Sequence, residues 1–378
     1  MEPVNLYSDT QTRPTQGMRA AMASAQVGDE QRFADPTVTA LQERVAELLG
    51  HEAALFLPSG TMCNAIGFRL HVRPGGDMVL LDRTSHPVNA EGGGPAELSG
   101  ATLRHLDGDG GVFDAATLEA ALHPAGDRYR ARPRLVAVEQ TTNLAGGRVW
   151  PLETMGGVLD VARAHDLRAH LDGARLMNAV VASGVAAADY ARGFDTAWLD
   201  FTKGLGAPVG AVLAGSRELI EEAWRFKQAW GGSMRQAGIV AAAGLYALDH
   251  HVERLAEDHE NARWLAEGLA ELDGLEIDPA LVETNIVICR CQDAYDLAGR
   301  LYEAGVQTSP ISAGQLRFVT HLDVDRAGCG RALAAVQVAL AAPGPPRPRG
   351  RSADCPCLTP PAARSGRRPA GRRCRRSP

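Results

Sequence analysis

The chain has 378 residues, of which 45% are hydrophobic, 5% aromatic and 22% charged, enough for two domains or one large α/β unit with an appendage. No apolar run reaches the length of a membrane span and no basic-then-apolar leader opens the chain, so a soluble, cytoplasmic protein is expected; seven irregularly spaced cysteines argue for reduced thiols over a disulfide framework. The net charge of −6 is uneven: ten arginines against one aspartate give residues 343–378 a charge of +9 and leave −15 on residues 1–342, an acidic body without a nucleic-acid footprint.

In chain order, Asp35-Pro36 opens a helix, with Asp35 as cap and Pro36 in the first turn. Val38, Leu41, Val45 and Leu48 recur at helical spacing and Gly50 ends it. Short apolar strands then alternate with helical stretches such as Pro151–His165. The strands expected are Ala54–Leu57, Met78–Leu81, Leu135–Glu139, Arg168–Asp172, Thr196–Asp200 and Val209–Ala214. This alternation predicts a mainly parallel sheet covered by helices on both faces, with ligands outside the carboxyl ends of its strands. Glu139 and Asp172 fall at such ends and Lys203 lies just past one. From about Ala237 through Leu272 the chain is helical. Strands near Asn285–Cys289 and Leu316–Thr320 follow, with a closing helix at Gly330–Ala342. The expected division is a large domain over residues 1–245 including the N-terminal arm, a small C-terminal α+β domain over 246–342, and an Arg/Pro-rich tail over 343–378. The tail has too little apolar surface to fold, whether it is a disordered basic segment or out-of-frame translation of GC-rich DNA, and no catalytic role is expected of it.

The chemistry concentrates in residues 168–206. An acid, Asp172, ends an apolar strand; Arg175 follows three residues later; Lys203 lies between two further strands in an apolar frame. Pyridoxal phosphate (PLP) chemistry needs this set: a lysine for the Schiff base, a carboxylate to keep the pyridine nitrogen protonated, and an arginine for an amino-acid carboxylate. Ser59-Gly60-Thr61 opens a helix after a strand, where free N–H groups and a hydroxyl can cradle a phosphate; an ordinary capped turn has the same pattern. His86 can stack on an aromatic ring and move protons. Glu91 reads as an exposed acid or a lesser base. No metal site is indicated: Cys289 and Cys291 alternate along a strand without a matching ligand pair.

The chain resembles the L-threonine aldolases, of the low-specificity type, in the fold type I (aspartate aminotransferase) superfamily of PLP enzymes. The resemblance runs over about residues 4–330. It is carried by Ser8-Asp9-Thr10 through Arg13-Pro14, Val27-Gly28-Asp29, Asp35-Pro36-Thr37-Val38, Phe56 through Met62, His86, Glu91-Gly92-Gly93, Gly146-Gly147-Arg148-Val149, His170 through Arg175, Lys203 through Gly210, Met234 through Gly238, and Leu316 through His321. It implies that Lys203 bonds the cofactor, Asp172 pairs with the pyridine nitrogen, His86 stacks on the ring, and Gly60 and Thr61 hold the phosphate. Arg235 would reach the phosphate of a neighbouring subunit's cofactor. Ser8, Arg175 and Arg317 would bind the substrate carboxylate. A homo-oligomer, dimer or tetramer, with sites shared between subunits is implied. So is reversible cleavage of L-threonine, L-allo-threonine and related 3-hydroxy amino acids to glycine and an aldehyde. A β-eliminating lyase or a transaldolase of the same fold type is the alternative. Four places depart from the family pattern. Arg32-Phe33-Ala34 stands where Tyr-Gly-Glu is usual, Tyr129 where a histidine is often found, Gln140-Thr141-Thr142 where Asn-Thr-His is commoner, and Lys227-Gln228 where Arg-Lys is usual.

Overall fold

The computed structural model describes residues 3–124 and 126–341; the tail at 343–378 lies outside the described residues. After a short strand β1 (Val4–Asn5) and helix α1 (Gln16–Ala23), helix α2 (Pro36–Leu49) forms where its cap and apolar spacing predict it. Asp35 Oδ1 accepts from the N–H groups of Thr37 and Val38 at 3.1 and 3.0 Å, and Gly50 closes the helix at φ +69°. The same carboxylate reaches two other segments through Oδ2, which accepts from Gly28 N–H at 3.1 Å and Gly238 N–H at 2.8 Å. One acid thus caps a helix and ties the N-terminal arm to helix Gly238–His250.

Seven strands build the main sheet: β2 (Ala53–Leu57), β3 (Asp77–Asp82), β4 (Thr102–Leu106), β5 (Arg132–Glu139), β6 (Arg168–Asp172), β7 (Thr196–Asp200) and β8 (Ala211–Gly215). Their order is β2-β8-β7-β6-β5-β3-β4, with β8 antiparallel to both neighbours and the remaining pairs parallel. Every residue of β3, β7 and β8 is buried, as continuous apolar strands covered on both faces require. Helix α3 (Gly60–His71) follows β2 and lies across the sheet. The edge strand β4 has no counterpart among the expected strands. It reads Thr-Leu-Arg-His-Leu, is largely exposed, and so lacks the apolar signal that marks the others.

A second sheet, β12-β13-β10-β9, is antiparallel and built from β9 (Leu275–Glu276), β10 (Ile286–Cys291), β12 (Ser309–Ser312) and β13 (Gln315–Val319). Between these lies β11 (Val306–Gln307), which pairs in parallel with β1. Val4 and Leu6 are therefore packed in the small core with Val287, Leu316 and Phe318. The N-terminal arm therefore starts against the core of the second sheet. Helix Gly238–His250 packs in the large core through Ala241, Ala243 and Ala247, and the chain passes to the small core along helix Leu255–Ala270, between Leu255 and Ala262. No helix among the described residues is long and apolar enough to cross a membrane.

Substituting Asp35→Ala should cost about 2 kcal/mol, from the lost cap and from leaving a buried N–H of Gly238 unpaired. Urea denaturation checks it; a change under about 0.5 kcal/mol would deny Asp35 its triple role.

Candidate active site

Strands β5, β6 and β7 end on the same side of the sheet, and their last residues carry acids: Glu139, Asp172 and Asp200, all buried. In the register of β5 with β6, Glu139 is opposite Asp172. Lys203 follows β7, and its Nζ binds Asp200 Oδ2 and lies 5.9 Å from the centroid of the Trp198 ring. Asp200 is fixed in turn by Thr202, which donates from N–H at 3.1 Å and from Oγ1 at 2.8 Å. The side chain of Lys203 is largely buried, so it is held by one carboxylate in a confined space.

The carboxylate of Asp172 accepts from Ala174 N–H at 3.0 Å and from Asn64 Nδ2 at 2.8 Å. Burial raises its pKa, Asn64 and the charges of His86 and Lys203 oppose the rise, and Glu91 adds to it. His86 Nδ1 faces Glu91 Oε1 at 2.8 Å, with the imidazole 32% exposed and the Glu91 side chain 1% exposed. Glu91 is therefore no exposed acid: it is the buried support of His86, and it also accepts from Asn64 Nδ2 at 2.8 Å.

The three residues expected to bind a carboxylate meet at the seam between the two sheets. Arg175 is buried, and its Nε and Nη2 donate to Asp9 Oδ2 and Oδ1 at 2.8 and 2.7 Å. Burial pushes the Asp9 carboxyl up, but the charge and hydrogen bonds of Arg175, with Lys203 and Asn285, more than reverse this and hold it well below the usual range. Ser8 caps the short turn Asp9–Gln11, its Oγ accepting from Thr10 N–H and Thr10 Oγ1 at 3.2 and 2.9 Å. Arg317, on β13, differs from Arg175. Its Nη1 donates to Asn143 Oδ1 at 2.7 Å, its Nη2 to Tyr7 O at 3.5 Å, and its buried Nε has no partner. Burial, then the nearby Arg175 charge, lower its pKa to about 10. Among the described residues it has no carboxylate.

The other expected residues divide. Gly60 opens α3 against Trp198: a Cβ there would lie 2.4 Å from the indole ring, so only glycine lets the helix start come down beside the Lys203 loop. The N–H groups of Gly60 and Thr61 precede the first intrahelical bond, Cys63 N–H to Ser59 O, and are open to an anion. Arg235 stands apart, its guanidinium 62% exposed and paired with Asp29 at 3.0 Å. Of the departures, Tyr129 is wholly exposed, and Phe33 is exposed at φ +55°, packed beside Trp224. Lys227 is buried, donating to Glu30 at 2.9 Å.

PLP fits this set. Asp172 is a buried carboxylate whose direct partners are neutral N–H donors, so a protonated ring nitrogen would supply the cation it lacks. Lys203 would bond the cofactor, His86 would face its ring, and the Gly60–Thr61 amides would take its phosphate. Several residues that shape the site are given no role by the sequence alone: Asp9, Asn64, Asn143, Asp200 and Asn285. Asn64 does leave a signal, a polar side chain in an apolar run between Met62-Cys63 and Ala65-Ile66.

Glu139 belongs to the same cluster. Burial, then the charge of Asp172, raise its carboxyl to about 8, while its Oε1 has no partner. A carboxyl raised on folding contributes stability that is complete below its unfolded value, about 4.3, and is lost as pH rises through its folded one. Glu139→Gln escapes that loss. With cofactor removed, the melting-temperature difference between variant and wild type should grow from about pH 5 to about pH 8; a constant difference would mean that Glu139 is ionised throughout.

The sequence profile of the beta-eliminating lyase family matches residues 5–293. The chain is 39% identical over 328 residues to the low specificity L-threonine aldolase of Escherichia coli, covering 85% of this chain and 95% of that one. It is 37% identical over 347 residues to low-specificity L-threonine aldolase 1 of Arabidopsis thaliana, covering 90% and 97%. The solved threonine aldolase of Leishmania major shares the fold at a TM-score of 0.76 and 21% identity, over 90% of this chain and all of that one. The chain belongs to the low-specificity L-threonine aldolase family, PLP-dependent carbon–carbon lyases of fold type I.

Proposed function

We propose that this enzyme cleaves L-threonine, L-allo-threonine and related L-3-hydroxy amino acids, reversibly, to glycine and an aldehyde. One observation carries the substrate reading: among the described residues Arg317 is a buried guanidinium without a carboxylate partner, near the Asp9–Arg175 pair, and Asp9 in turn feels the Lys203 charge. An amino-acid carboxylate supplies the missing charge. Arg175 is already neutralised by Asp9, so it offers Nη1 as a donor, and Arg317 is the principal anion grip. Ser8 closes the same side.

When bound, PLP provides an electron sink for the bond broken at the substrate α-carbon. The protein's part is orientation and proton transfer. Fixing the carboxylate on the Arg317 side leaves the bond to the β-carbon as the one to be broken. His86 takes the β-hydroxyl proton, directly or through a water. Because Glu91 only accepts, His86 Nδ1 carries hydrogen and Nε2 is the free base. Lys203 returns a proton to the α-carbon side. Exposed Arg235, whose guanidinium pairs with Asp29 among the described residues, would serve a neighbouring copy, in a homo-oligomer, dimer or tetramer, acting in the cytoplasm.

Lys203→Ala should abolish both the visible cofactor band and cleavage; a wild-type-like band in that variant would sink the assignment. Products decide the reaction: wild type should yield glycine and acetaldehyde from threonine, whereas ammonia and a keto acid would make it an eliminase. Arg317→Leu should raise KM for threonine roughly 10–100-fold, the worth of a charge-assisted hydrogen bond. An unchanged KM would move the carboxylate to Arg175.

A further inference from the structure

Asn64, 1% exposed on α3, has no idle polar atom. Its Nδ2 donates to Glu91 Oε1 and to Asp172 Oδ2, each at 2.8 Å. Its Oδ1 accepts from Trp198 Nε1 at 2.8 Å and meets His170 Nε2 at 3.1 Å. The amide has one allowed orientation. An indole nitrogen only donates and carboxylates only accept, so the oxygen must face Trp198 and the nitrogen the acids.

The rest of the chain of hydrogen bonds then follows. His170 must donate through Nε2. Burial, then the neighbouring His71, hold its imidazole neutral, at about 3, so Nδ1 accepts. Thr196 Oγ1, 2.7 Å from Nδ1, gives its hydrogen there and is left to accept from His71 Nε2 at 3.0 Å. From His71 through Thr196 and His170 to Asn64, every donor points toward the two acids. Two glycines let α3 approach closely enough. A Cβ at Gly67 would lie 2.3 Å from His170 Cε1, and one at Gly60 would meet Trp198. The helix is thus shaped around the two residues that orient Asn64.

We propose that Asn64 is a positioning residue that couples the two halves of the site, holding Asp172 with one amide hydrogen and, through Glu91, the ring of His86 with the other. This rests on the roles proposed above for Asp172 and His86. An amide side chain suits that double role, because aspartate would set oxygen against two carboxylates and leucine would leave both acids without their shared donor. Asp172 is also faced by the charges of Lys203, His86 and Glu91 and by Glu139 on β5. Against that fixed background, loss of the Asn64 bond favours the protonated form of Asp172.

The test uses the holoenzyme and three variants, Asn64→Leu, Thr196→Val and Thr196→Ser. In Asn64→Leu the acid limb of kcat and the pH midpoint of the cofactor band should both rise by about 1 unit, the worth of a hydrogen bond to a charge. kcat should fall at least about 10-fold with KM for threonine little changed. In 15N-histidine-labelled wild type, His170 should carry its hydrogen on Nε2. Thr196→Val removes the hydroxyl that His170 Nδ1 accepts from and should move the acid limb in the same direction, and Thr196→Ser should restore it. An unshifted band and pH profile in Asn64→Leu, or a hydrogen on His170 Nδ1 in wild type, would overturn the proposal. If Asn64→Leu fails to fold, a Thr196→Val enzyme with wild-type cofactor band and pH profile overturns it instead. The tautomer and the band are read without turnover, so elimination products from threonine would refute the aldolase reading while leaving this coupling to be judged by its own measurements.

Discussion

The site depends first on the buried ion pair between Asp9 and Arg175. Both groups are taken out of water, a cost met only by close, bidentate geometry, and both oxygens of Asp9 accept from the guanidinium at 2.7 and 2.8 Å. Asn285 Nδ2 donates to the same carboxylate at 3.1 Å and to Thr320 O at 3.1 Å. Three pieces of chain far apart in sequence therefore meet on one acid: the N-terminal arm, the segment after β6, and the small domain's sheet. This explains why the arm crosses from the small core to the large one. Its strand β1 anchors it at one end, and Asp9 delivers a charge to the other.

Neutralising Arg175 changes what Arg317 can do. Two guanidiniums lie close enough for the first to depress the second, and only one has an acid. The seam thus carries one net positive charge that no described residue cancels directly. Such a charge is expensive when buried unless a ligand completes it. An anion arriving at the seam would complete that charge, which is the basis of the carboxylate-binding role proposed for Arg317.

Much of the fold was legible in the sequence because it rests on strong local signals. Asp35, Pro36 and Gly50 mark α2, and β6 and β7 match their expected bounds. Where the signal was weak, the reading missed. β4 is an exposed edge strand stabilised by pairing with β3 rather than by its own side chains. The N-terminal arm's first strand has two residues, too short to show any periodicity, and its place is set by a partner about three hundred residues away. Glu91 illustrates a further limit. The sequence reads it as an exposed acid or a lesser base, yet its carboxylate points inward to Asn64 and His86. Exposure of an acid is decided by tertiary partners, and a single sequence does not show them.

The two carboxylates at the ends of β5 and β6 show how such partners assign chemistry. Glu139 and Asp172 are neighbours in register and both are buried, so ionising both is unfavourable. Their surroundings break the tie. Asp172 accepts two hydrogen bonds of 2.8 and 3.0 Å, from Asn64 and Ala174, whereas Glu139 has one weak contact, Asn143 N–H at 3.4 Å, and an oxygen without a partner. Hydrogen bonds to the charged form favour it. The negative charge therefore settles on Asp172 and the proton on Glu139. That division leaves the ionised acid on Asp172, the residue proposed to face the ring nitrogen, with a neutral acid beside it that would not compete for the same cation.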